Sequence, residues 1–150
     1  MKTVSLMMKH LFWANRQVVE LLEKGEVQDP AALRLLRHMA VAEQVWLIRL
    51  NGGSTRHLTL WKDGVQSDIA AMMRDNERSY NQYLETLTEQ KLDSIVTYTN
   101  QQGTPFETSV REIVTHVALH GQYHRGQFNR MMVSSAQKPL VFDYIAFARL

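Results

Sequence analysis

Apolar residues recur every three or four positions through most of this chain, the spacing of one helical face. The first such run extends from about Val4 to Lys24 and stops at Gly25. A second opens at Asp29-Pro30, a capping residue followed by the proline that suits a first helical position, and ends at Asn51-Gly52-Gly53. A loop carrying His57, Trp61 and Gly64 follows, and a third helix is expected from Ser67-Asp68 to about Gln90. The period then changes. Ser94 to Thr99 is β-branched and aromatic, Asn100 to Gly103 reads as a turn, and Thr104 to Thr108 supplies the returning strand of a short hairpin. A fourth helix is expected from Ser109 to about Ser134, and a short one from Phe142 to Leu150. The pattern predicts an all-α four-helix bundle of up-down-down-up type, with a β-hairpin before the last long helix and a short C-terminal helix. No repeat or linker interrupts it, so residues 1–150 are expected to form one domain.

Composition narrows the function classes. With 150 residues, 45% hydrophobic and 21% charged, the chain is long enough to bury a core without a disulfide or a structural metal. No stretch approaches about 18 consecutive apolar residues, so no membrane span is expected. The first residues run straight into an amphipathic pattern with Lys9, His10, Asn15 and Arg16, unlike a signal peptide, so the chain is expected to stay in the cytoplasm. Cysteine is absent, which excludes thiolate ligands and a cysteine nucleophile; any thiol chemistry must use a thiol from outside. A net charge of +2 gives a weak field, and no basic stripe points to nucleic acid.

The informative residues are histidines. Three of the six lie on the fourth helix, His116, His120 and His124. At about 100° per residue, Val110, Ile113, Val114, Val117, Gly121, Phe128, Met131 and Met132 form its apolar stripe. From the centre of that stripe His124 lies about 40° away, His120 about 80° and His116 about 120°. On the second helix, His38 sits about 80° from a stripe of Ala32, Leu35, Met39, Ala42, Trp46 and Leu50. Inward imidazoles side by side give each other no complementary partners, and a divalent ion removes that cost by taking one lone pair from each ring. Gly121, on the apolar stripe, leaves room for a bound molecule or allows close helix packing. His10 and His57 read as surface residues. The spacing His116-x-x-x-His120 matches a zincin helix, but Val117 stands where that chemistry needs glutamate. No Glu-x-x-His pair and no nucleophile elbow occur, so a di-iron carboxylate bundle and a serine hydrolase are not expected.

Over nearly its whole length the chain resembles the DinB-like (YfiT-type) family of metal-binding four-helix bundles. The resemblance rests on Phe12-Trp13-Ala14-Asn15-Arg16, on His38 to Leu47, on Phe142-Asp143-Tyr144-Ile145, and above all on His116-x-x-x-His120-x-x-Tyr123-His124-Arg125-Gly126-Gln127. It implies a metal triad of one histidine from the second helix and two from the fourth, here His38, His120 and His124, with His116 ranked behind them. It implies a homodimer, and an activity of the kind found in thiol S-transferases that use bacillithiol or glutathione.

Three neutral histidines leave a divalent ion its full charge and an open position, at which a thiol is held as thiolate or a water is acidified. Zinc is the default for such a set and nickel also suits it. The expected function is metal-dependent activation of a low-molecular-weight thiol for S-transfer to a small electrophile. The alternatives are a stress- or DNA-damage-inducible dimeric metal-binding protein without catalysis, and a small metal-dependent hydrolase. Arg49 and Arg125 are candidates to pair with carboxylates of the thiol. Arg125, about 60° from the stripe centre, suits that role or a surface ion pair, the latter preferred. Trp46 reads as a pocket wall or as plain core, and Tyr123 and Gln127 as partners for the His124 ring.

Overall fold

Two side-chain caps fix where the helices that carry the histidines begin. Asp29 accepts from the Ala31 N–H ahead of Pro30, and Ser109 exchanges hydrogen bonds with Glu112 in a capping box. The computed structural model describes residues 1–150. Its long helices are α1 (Lys2–Glu23), α2 (Pro30–Leu50), α3 (Gln66–Glu85) and α5 (Val110–Ser134). Between α3 and α5 lie a single turn, α4 (Glu89–Leu92), and the antiparallel pair β1 (Ile95–Thr99) and β2 (Pro105–Ser109), with Tyr98 opposite Phe106. A second short turn, α6 (Tyr144–Phe147), closes the chain. No helix is long and apolar enough to cross a membrane.

Cross-helix contacts give the direction of each element. Arg16 pairs with Glu77 and Arg74 with Glu23, so α1 and α3 are antiparallel. Asn76 donates to the Ala40 carbonyl and Tyr80 to that of Glu43, so α2 and α3 are parallel. His38 faces His124 while Trp46 faces His116, so α2 and α5 are antiparallel. The bundle is therefore up-down-down-up, and the connection 51–65 runs back along it to join the two parallel helices.

The apolar core falls into two parts. One holds Val18, Leu36, Met39, Ile69 and Phe128; the other holds Met8, Leu11, Phe12, Leu92 and Val117. Between them lies a buried polar layer with one residue from each long helix: Asn15, Glu43, Asn76 and Arg125. Asn15 bridges it, accepting from Arg125 Nη1 at 2.9 Å and donating to Glu43 Oε1 at 2.8 Å, while Asn76 donates to Glu43 Oε2 at 3.2 Å.

Gly121 is explained by packing rather than by room for a ligand. A Cβ there would lie 2.5 Å from Leu11 Cδ1 and 2.9 Å from Arg125 Nη1, both on fully buried side chains. Gly121→Ala is expected to lower stability by about 1–2 kcal/mol despite the better helix propensity of alanine, because overpacking outweighs it. A urea titration showing an unchanged or higher midpoint would contradict this.

Three local expectations are corrected. The third helix ends at Glu85 rather than near Gln90, because the Thr88 side chain caps a new turn by accepting from the Lys91 N–H. The last helix covers only Tyr144–Phe147; Phe142 is buried and its carbonyl accepts from His10 Nε2 at 2.7 Å. His10 is consequently buried among Trp13, Tyr144 and Phe147 rather than on the surface.

Candidate metal centre

His38, His120 and His124 meet between α2 and α5, each offering one ring nitrogen within 4.8 Å of the others. His120 Nε2 lies 3.3 Å from His38 Nε2 and 3.0 Å from His124 Nε2. The far sides of two rings are anchored. His38 Nδ1 lies 3.3 Å from the Leu60 carbonyl, and His124 Nδ1 lies 2.7 Å from Gln127 Oε1. Both oxygens only accept, so both Nδ1 atoms carry the hydrogen and both Nε2 atoms present lone pairs.

Those lone pairs converge on a third imidazole nitrogen, which can donate to one of them at most. A cation satisfies all three at once, so the residues present fit a divalent metal. Burial, then the charge that His124 and His38 would carry, pushes His120 down to about 3. His38 is lowered by burial and by His124, against the pull of its bond to Leu60. Desolvation thus keeps His38 and His120 neutral at pH 7, the form that ligates.

A family model, DinB family, matches residues 1–150. The chain belongs to that family. No curated protein matches the chain at a significant level. Within this DinB-family bundle, the order of inwardness read from the helical wheel holds: His124 is buried, His120 partly so, and His116 exposed. His116 lies beside His120 at 5.5 Å between ring centres but is not among the converging nitrogens.

The remaining candidates are distributed unevenly. Gln127 touches the site directly through His124. Gln127→Leu, which removes that acceptor while keeping the three ligands, is expected to weaken metal affinity about 10- to 100-fold in a chelator competition titration. Tyr123 packs edge-on against the His124 ring, 5.0 Å between centres, but is 65% exposed. Trp46 meets the triad only by way of His116, against which it packs edge-on at 5.2 Å. The Arg49 guanidinium lies 4.7 Å from the ring centres of both Trp46 and Tyr98 and donates to the Thr99 carbonyl, so it ties α2 to the hairpin.

Arg125 overturns the surface ion pair expected of it. It is wholly buried, hydrogen-bonded to Asn15 and Gln122, and stacked 5.7 Å over Phe142. Burial pushes it down to about 10, and its Nε has no partner.

Sequence reasoning missed two contributors from the loop between α2 and α3. The Leu60 carbonyl orients His38, and Trp61 lies flat on the same ring at 3.7 Å with only 6° between planes. A tryptophan in a glycine-flanked loop is the only signal for this. No periodicity could assign its target.

Proposed function

We propose that this DinB-family protein is a metal-dependent enzyme that activates a low-molecular-weight thiol, of the bacillithiol or glutathione type, for S-transfer to a small electrophile. The observation that supports it is the convergence of three Nε2 atoms, two of them fixed from behind as lone-pair donors by Leu60 and Gln127. His38, His120 and His124 would hold the ion, with zinc favoured by the all-imidazole set and nickel next. When bound, such an ion keeps its 2+ charge and acidifies a thiol brought to it.

The chain supplies the rest. It has no cysteine, so the thiol comes from outside. Leu60 and Gln127 keep the rings in one tautomer, and Trp61 stacked on His38 excludes water from that face. In the transfer, the sulfur forms a bond to carbon of the electrophile, the leaving group departs with its electron pair, and the thiol proton passes to solvent. Two copies of the chain are proposed to pair, as the family implies.

The first test is elemental mass spectrometry on protein purified without chelator or histidine tag. About one zinc or nickel per chain is expected, and cobalt-substituted protein should develop a sulfur-to-metal absorption band with glutathione or bacillithiol. A protein that holds no metal and takes none up overturns the proposal. Metal without thiol binding would leave a non-catalytic metal-binding protein, and turnover of activated esters without thiol would make it a hydrolase.

A further inference from the structure

A groove of about 550 Å³ opens beside the triad, between α2 and α5. Its inner end is formed by Trp61 and Gln127, the two side chains that touch His38 and His124. Its walls include the apolar side chains of Leu35 and Met131. Farther out it carries two exposed cations, Arg34 from α2 and Arg130 from α5.

These two arginines differ from four others on the surface; Arg56 and Arg149 are also unpaired but do not line this groove. Arg16, Arg74, Arg78 and Arg111 are each paired with a carboxylate. Neither Arg34 nor Arg130 forms an ion pair, and neither guanidinium has a hydrogen-bond partner. The one carboxylate on the groove, Asp29, accepts from the Ala31 N–H as the cap of α2. Two like charges held without a partner along one apolar groove leave a place for an anion.

The spacing sets its length. Arg34 is four residues from His38, about 6 Å along the helix, and Arg130 is six from His124, about 9 Å. We propose that this groove binds the carboxylate tail of a small molecule whose other end reaches the three histidines, with Arg34 and Arg130 pairing to the carboxylate. The inference rests on the triad being the reactive end of the site. It assigns charge recognition to Arg34 and Arg130 rather than to Arg49 or Arg125, whose guanidiniums are engaged elsewhere.

Three probes test it on the metal-loaded protein: 6-mercaptohexanoate, the neutral 6-mercaptohexanol, and hexanoate, which lacks sulfur. The Nε–H signals of Arg34 and Arg130 are followed by nuclear magnetic resonance, each assigned by its loss in Arg34→Gln or Arg130→Gln. Sulfur binding is read separately from the absorption of cobalt-substituted protein. Both arginine signals should move with the acids and stay fixed with the alcohol. The mercapto acid should bind about tenfold tighter than the alcohol, the effect expected of two exposed pairs, and less so at high salt. In the doubly substituted protein that preference should vanish, with metal content and affinity for the alcohol unchanged. Arginine signals that ignore both acids, or equal affinity for acid and alcohol, overturn the proposal. If the cobalt spectrum answers to no thiol while hexanoate still moves the arginines, the groove stands and the thiol reading falls.

Discussion

Replacing His38, His120 or His124 by alanine is expected to weaken metal binding by about a thousandfold. Zinc held by a full set of protein ligands is worth roughly 10–16 kcal/mol, so one ligand carries about 4 kcal/mol, or three decades of affinity. His116→Ala should leave the metal content unchanged, because its ring is exposed and outside the converging set. Elemental analysis and chelator competition on the four variants test both statements. Stability separates a metal site from histidines that merely pack. In metal-free protein His120 is a desolvated base whose pKa falls from 6.5 to about 3 on folding. Its contribution is therefore complete above about pH 6.5 and is lost as pH falls towards 3. Metal-free wild type should lose stability on acidification through that range, and His120→Ala should lose less. Above pH 7 the order should reverse once metal is added, because only the wild type gains the binding energy. An alanine variant that keeps full metal content would remove His120 from the site.

The triad was legible because its geometry is local. His120 and His124 are one turn apart on α5, and an angular position from a helical wheel was enough to rank them above His116. His38 needed only its own wheel and a bundle that places α2 against α5. The orienting groups were legible in part. Gln127 reaches His124 from three residues along the same helix, whereas Leu60 and Trp61 lie on an irregular loop whose path no period encodes. Arg125 failed for a related reason. Its partner Asn15 is 110 residues away on another helix, and the Phe142 beneath it comes from the returning C-terminal segment. A wheel gives direction from the helix axis; it does not say what stands there. The same segment buries His10, whose Nε2 donates to the Phe142 carbonyl. The early end of α3 turned on one threonine side chain, a cap that competes locally with helix continuation.

The second large effect is expected in the polar layer. Arg125→Ala should destabilise the fold by about 3–5 kcal/mol, because it leaves the Asn15 oxygen without its donor and Glu43 without the nearby cation in a buried layer. Glu43→Ala should cost a similar amount by stranding Arg125. Replacing both, as Arg125→Met with Glu43→Leu, should recover much of the loss, since a matched apolar pair carries no desolvation penalty. Urea titrations of the three proteins measure this, and a double variant as unstable as the sum of the two alanine effects would show that the groups do not act as a unit. The pH dependence gives an independent reading. Burial pushes Glu43 from 4.5 up to about 7, opposed by the hydrogen bonds from Asn15 and Asn76 and by Arg125. A carboxyl with a raised pKa binds its proton more tightly when folded, so its contribution is complete below pH 4.5 and is lost as pH rises through 7. The histidines change in the opposite sense over part of that range, so the informative quantity is wild type minus Glu43→Gln. That difference should shrink between pH 4.5 and 7 and then level off. A difference that stays flat would mean that Glu43 is ionised throughout, with Arg125 and the two asparagines outweighing burial.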